Sequence, residues 1–229
     1  MSRRESGEWA STAQKGMHHA SAAGGAPPRR VGTSSSPAPG RAPPAPKGAV
    51  ELARMLSGQI SHAGSTCELL RLSSAHSASL NHIHVANLWN KLGKQRDASM
   101  PSHKEEVQQL LRRTVELLDS CGARELSNLA HGLARLTLVG LDDEAGALFA
   151  AIAAAAVRSG LRDFNPQDLA NTAWAFAVAD HLAPVLFDSD AFVQLCAERS
   201  FVPEALCQLH QWQLWQEERG AAWPPLPPE

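Results

Sequence analysis

The chain has no tyrosine, and aromatic residues make up only 5% of its 229 positions. An interior so poor in large flat rings must be filled by Leu, Ala and Val, which suits closely packed helices rather than sheets. Cysteine is scarce and scattered: Cys67, Cys121, Cys196 and Cys207 show no paired spacing. That argues against a disulfide framework and fits a reducing compartment. Long hydrophobic runs are missing too. The longest, Ala145 to Val157, falls well short of the roughly 20 apolar residues that span a bilayer. The acids Asp142, Asp143 and Glu144 before it and Arg158 after it suit the two ends of a soluble helix. No apolar stretch follows Arg3 and Arg4, so no secretory signal is expected. Also lacking are a Ser/His/Asp grouping, a phosphate-cradling glycine loop and paired catalytic carboxylates. These absences lead to the expectation of no membrane segment, no cofactor and no enzymatic activity.

Charge is unevenly spread. Of 21 basic and 23 acidic residues, seven and two fall in residues 1–48, so the rest of the chain carries a net −7. An acidic body counts against bulk electrostatic attraction to nucleic acid. Residues 1–48 are rich in Ser, Ala, Gly and Pro and have no hydrophobic period. They cannot bury enough apolar surface to offset ordering entropy, so disorder is expected there. Their Arg, Ser and Ala bias suits an organelle transit peptide and equally a plain basic linker; Glu5 and Glu8 count against the former.

From Ala49 the pattern turns helical. Glu51 to Leu56 and Cys67 to Leu72 read as two short helices, and residues 49–80 as a degenerate capping unit. A repeat then follows over residues 81–220, before a Pro-rich end at 221–229. Val85-Ala86-Asn87-Leu88 is matched by Leu126-Ser127-Asn128-Leu129 and by Leu169-Ala170-Asn171-Thr172, with a weaker copy at Leu206-Cys207-Gln208-Leu209. The fixed polar position recurs after 41, 43 and 37 residues, the period of a two-helix solenoid unit. Leu169, Ala173 and Phe176 keep step with Leu126, Ala130 and Leu133 on one helical stripe. Each such helix is followed by a second, seen in Val107, Leu110, Leu111, Val115 and Leu118, in Leu148, Phe149, Ile152, Ala155 and Ala156, and in Phe192, Val193, Leu195 and Cys196. Pro101, Pro166 and Pro203 sit where a first turn tolerates proline, Asn165 is placed as an N-cap, and Gly122, Gly140 and Gly160 fall between helices. The expectation is an all-α α-solenoid of about three to four two-helix repeats.

The stretch Asn165-Pro-Gln-Asp-Leu-Ala-Asn-Thr-Ala-Trp-Ala-Phe-Ala177 resembles the octotricopeptide-type repeats of organelle RNA-binding proteins. It is also similar to the leucine-rich helical regions of FAST kinase domain proteins. Leu206-Cys-Gln-Leu-His-Gln-Trp-Gln-Leu-Trp215 and Trp223-Pro-Pro-Leu-Pro227 resemble the stretch that precedes the C-terminal RAP domain of such proteins. The likeness covers roughly residues 80 to 227. It implies work in mitochondria, or alternatively chloroplasts, on RNA processing, stability, splicing or translation, with single-stranded RNA and ribonucleoprotein components as partners. Glu229 falls where a RAP domain would begin, so activity borne by that domain is not expected of these residues. They read as a shortened member or an incomplete sequence.

Candidate site residues follow from the repeat. Asn87, Asn128, Asn171 and Gln208 would face bases if the polar position reads RNA, or bond to the next helix if it is a structural ladder. Both readings stand at this point, with the ladder favoured. Trp89, Trp174, Trp212 and Trp215 are stacking candidates, though helices this apolar usually bury their tryptophans. Trp89 is the preferred exception, because Lys91, Lys94 and Arg96 lie beside it in sequence and Arg112 and Arg113 complete the basic set. That set is read as a phosphate-contacting patch or, equally, as a solvated helix face. Cys207 and His210 have metal-ligand spacing but no second pair, and zinc is not expected. The competing function is an armadillo-like scaffold that binds protein rather than RNA.

Overall fold

The structure, a computed structural model, describes residues 47–95, 100–136, 138, 141–187 and 190–220. Within them it is all-α. The helices are α1 (Lys47–His62), α2 (Thr66–Ala75), α3 (His82–Leu92), α4 (Lys104–Leu117), α5 (Ala123–Ala134), α6 (Asp142–Ser159), α7 (Pro166–Val178), α8 (Pro184–Phe187), α9 (Asp190–Ala197) and α10 (Pro203–Glu218). They form two layers. In the first, α1, α3, α5, α7 and α10 pack each on the next; in the second, α2, α4, α6 and α8 do the same, with α9 on α8. This is the α-solenoid the period implies. The capping unit proves larger than its apolar pattern suggested: α1 runs for 16 residues and stacks on α3 as a further first-layer helix.

Three first-layer helices, α3, α5 and α7, start by a related device. Asn81 and Asn165 accept a hydrogen bond from the backbone N–H three residues on, as N-caps do. In return His84, Glu125 and Asp168 accept from the N–H at the start of α3, α5 and α7. In α3 an imidazole thus replaces the usual acid. His84 accepts through Nδ1, and its Nε2 donates to the Ala53 carbonyl of α1 at 2.9 Å. A cap of one helix is therefore also a tie to its neighbour. Pro166 and Pro203 open α7 and α10, and Gly160 ends α6 with φ of +79°, a conformation glycine adopts without steric penalty. Gly140 lies outside the described residues.

The core runs between the layers through Leu88, Leu110, Leu129, Ile152, Ala173 and Phe176. Val115, expected on the buried stripe of α4, is exposed instead. The tightest contact joins α3 to α5. A Cβ on Gly132 would lie 2.3 Å from the Trp89 carbonyl oxygen and 2.8 Å from the Asn90 nitrogen. Only a residue without a side chain allows the two backbones so close. The matching positions are Ala175 in α7 and Trp212 in α10, both buried.

Candidate nucleic-acid interface

Each first-layer helix buries one side and leaves a stripe of four residues at or near the surface. In α7 the stripe is Gln167, Asn171, Trp174 and Val178, while Leu169, Ala173 and Phe176 are buried. The repeat intervals carry this stripe onto Arg124, Asn128, His131 and Arg135 in α5, and onto Ile83, Asn87, Asn90 and Lys94 in α3. They also carry it onto Glu204, Gln208, Gln211 and Trp215 in α10, and, 33 residues before α3, onto Val50, Arg54, Ser57 and Ser61 in α1. The stripes lie side by side and form one polar face. Its basic groups are Arg54, Lys94, Arg124 and Arg135, with Lys91 beside them; its acid is Glu204. The acids Glu105, Glu106, Glu116, Asp119, Asp142, Asp143 and Glu144 belong to second-layer helices and their turns. First-layer helices also hold Glu51, Glu125, Glu217 and Glu218, but off the four-residue stripes, so the stripes themselves are net basic.

The repeated amides pair with one another. Asn90 Nδ2 donates to Asn128 Oδ1 at 3.2 Å, joining α3 to α5. Gln208 Nε2 donates to Asn171 Oδ1 at 3.0 Å, and Gln167 Nε2 reaches both Asn171 and Gln208, joining α7 to α10. Only the Asn171–Gln208 bond joins two of the repeated positions: α3 supplies Asn90 instead of Asn87, and among the described residues no amide bond joins Asn128 to Asn171. Asn87 instead lines a small cavity of about 230 Å³ with Ser57, Ser61, Asn90, Lys91 and Lys94. All these amides remain at or near the surface, so the ladder leaves their edges within reach of a ligand.

Rings continue the row. His131 stacks on Trp174 with centroids 5.0 Å apart, and Trp174 Nε1 donates to Gln211 Oε1 at 2.8 Å. Burial, then the nearby charges of Arg135 and Lys94, pushes the His131 imidazole down to about 4. The ring is therefore neutral near pH 7 and adds a flat surface without charge. At the far end Trp215 Nε1 donates to Asp180 Oδ1 at 2.9 Å, and the Arg219 guanidinium pairs with Asp180 and lies over the Trp215 ring.

Two expectations need correction. Trp89, the preferred stacking residue, is 0% exposed, and its Nε1 donates to Thr114 Oγ1 of α4 at 2.9 Å. It is a core residue that ties the layers and has no ring face to offer. Trp212 is buried against Phe187 and Phe192. Among the described residues the half-exposed tryptophans are Trp174 and Trp215. Nor do the basic residues form one patch. Arg112 is exposed on α4 in the second layer, and Arg113 there pairs with Glu116 and donates to the Leu80 carbonyl. Lys91 is on the face, but its ammonium donates to the Ser61 and Ala63 carbonyls at 2.5 and 2.9 Å, closing the end of α1. Arg135 likewise donates to the Gly93 carbonyl at the end of α3. Arg96 lies outside the described residues.

The face also holds residues that reading the sequence for clusters passed over: Arg54, Arg124, Arg135, Gln167 and Gln211. The signal for them was present. Applying the Asn interval to neighbouring positions, rather than to Asn alone, generates the stripes of α3, α5, α7 and α10, whereas that of α1, which has no Asn, follows from its packing on α3. Compared with known proteins, the chain matches no family model, no curated protein and no solved structure.

Proposed function

We propose that the protein binds single-stranded RNA across the open face of the first layer, as an organellar RNA-processing or RNA-stability factor of octotricopeptide type. The observation that carries this reading is the segregation of charge, with Arg54, Lys94, Arg124 and Arg135 on a face whose other positions are amides and rings. Cations hold phosphates and release counterions, amides bond to base edges, and half-exposed rings such as Trp174 stack on bases. The mitochondrial or chloroplast setting rests on the sequence resemblance alone. No helix among the described residues is long and apolar enough to cross a membrane.

A second reading is a protein-binding scaffold. It is favoured by exposed apolar residues such as Leu182, Val185, Val202 and Leu214 toward the C-terminal end. Titration of a labelled single-stranded RNA into the full chain at several salt concentrations separates the two. RNA binding predicts an affinity that falls with salt and weakens when Lys94 and Arg124 become Ala. Binding no stronger than that of an unrelated acidic protein would leave the scaffold.

A further inference from the structure

A separate cavity of about 520 Å³ lies where the C-terminal ends of α5 and α7 meet the N-terminal end of α6. It is lined by Leu133, Ala134, Leu136 and Leu138, by Asp142, Ala145, Gly146 and Phe149, and by Val178, Ala179 and His181. Its volume falls within the range of pockets that hold small ligands, roughly 300–1,000 Å³. Most lining side chains are apolar, although more of the lining surface is polar than apolar, and Phe149 forms a floor on which the His181 ring stacks at 5.6 Å.

The polar groups of the site are mostly acceptors. Helix C-termini leave carbonyl oxygens without intrahelical partners and carry the negative end of the helix dipole. Two such ends converge here; turn N–H groups already take the Gly132, Leu133, Ala175, Phe176 and Ala177 carbonyls, so the ends contribute chiefly the negative pole of each helix dipole. Asp142 adds a carboxylate, and Asp143 and Glu144 follow it on the same turn of α6. These acids also outweigh the positive end of the α6 dipole at its own N-terminus. Burial holds the His181 imidazole below its usual range, so at neutral pH it is uncharged and its ring carries one acceptor nitrogen. Among the described residues no Lys or Arg lines the cavity. The mouth is greasy: Val178 is 49% exposed, and Leu182, next in the chain after His181, is 58% exposed.

We propose that this cavity is a docking site for a protein partner, and that it takes one lysine or arginine side chain flanked by apolar residues. The aliphatic stem would lie along Leu133, Leu136 and Phe149, with the charged head toward Asp142 and the helix ends. The neighbouring apolar residues would cover Val178 and Leu182. A peptide is favoured over a free amine because the exposed apolar rim lies outside the cavity, where only a longer chain can reach it. The site is independent of RNA binding.

Gly146 supplies the means of testing this. Glycine inside a helix costs about 1 kcal/mol relative to Ala, and here its missing side chain leaves the space open. A Cβ added there meets nothing closer than His181 Nδ1 at 4.0 Å. Larger residues at 146 would therefore fill the cavity without forcing the backbone. The experiment titrates the full chain with a labelled peptide bearing one arginine between two leucines. A peptide with the isosteric, uncharged citrulline and free butylguanidinium serve as comparisons. The arginine peptide is expected to bind at least tenfold more tightly than the citrulline peptide, and more tightly than butylguanidinium. Gly146→Leu should abolish that binding, and Asp142→Asn, an exposed change that spares the fold, should weaken it several-fold. Equal binding of the two peptides, or no effect of Asp142→Asn, would overturn the proposal. Butylguanidinium binding as tightly as the peptide would replace the partner with a small organic cation.

Discussion

The two ends of the open face share one geometry and differ in chemistry. Toward α1, α3 and α5 the stripe positions hold Arg54, Lys94, Arg124 and Arg135, and α3 and α5 touch backbone to backbone at Gly132. Toward α7 and α10 the same positions hold Gln167, Trp174, Val178, Gln211 and Trp215, with Glu204 in place of a cation, and Trp212 at the position of Gly132 turns inward onto Phe187 and Phe192. The repeat therefore fixes where side chains stand, not what they do. One end is built to hold negative charge, the other to present rings and amides.

The comparison predicts a hierarchy of effects. Trp89 in α3 and Trp174 in α7 stand two units apart and face opposite ways. Trp89→Ala should cost about 4 kcal/mol of stability, because it empties a buried site and orphans Thr114. Trp174→Ala should cost far less stability but weaken RNA roughly tenfold, the scale of one base–aromatic stack. Urea unfolding and RNA titration of both variants would check this crossing pattern. If Trp89→Ala proved mild, the layer tie would be wrong.

Gly132 sharpens the contrast in packing. Gly132→Ala should destabilise by about 3 kcal/mol, since the new Cβ meets backbone atoms of α3 that cannot yield. Ala175→Gly, at the matching position in α7, should cost only about 1 kcal/mol through lost helix propensity. Equal losses in urea unfolding would mean the two junctions do not differ as described. A smaller effect attends the amide ladder. Asn128→Ala should remove about 1 kcal/mol, the net worth of its bond with Asn90, with a matching loss for Asn171→Ala at the other end.

Acid should act mainly through buried imidazoles. The His131 ring takes up a proton near pH 4 in the folded chain and near its ordinary 6.5 when unfolded. Between those values the unfolded chain binds more protons, so stability is full above about pH 6.5 and falls as the pH drops toward 4. His84 and His181 are depressed in the same direction, first by burial. Replacing His131 by Phe keeps the ring against Trp174 and should flatten the acid side of a melting-temperature profile. An unchanged profile would place the ring in water.

Much of the fold was legible because the repeated Asn and the apolar stripes report helix period directly. The caps at Asn165 and the breaks at Pro166, Pro203 and Gly160 were also readable, since each depends on local backbone chemistry. The site was less so. Lys91, Lys94, Arg112 and Arg113 look like one cluster in a linear chain, yet α3 and α4 belong to different layers and separate them. Trp89 is flanked by polar residues in sequence but turns inward, because helical period and not adjacency decides which side it faces. Gly132 carried no linear signal, since a close approach of two backbones is a property of the pair of helices.

We propose that charge on the open face, and not charge on the chain as a whole, holds RNA. This is tested most directly by paired charge reversal: Lys94→Glu with Arg124→Glu on the face, against Arg112→Glu with Arg158→Glu on the second layer, each measured by titration of single-stranded RNA. The two variants change net charge equally. The account predicts that the face variant loses at least tenfold in affinity while the second-layer variant stays within twofold of the unaltered chain. Equal losses in both, or no loss in the face variant, would contradict it.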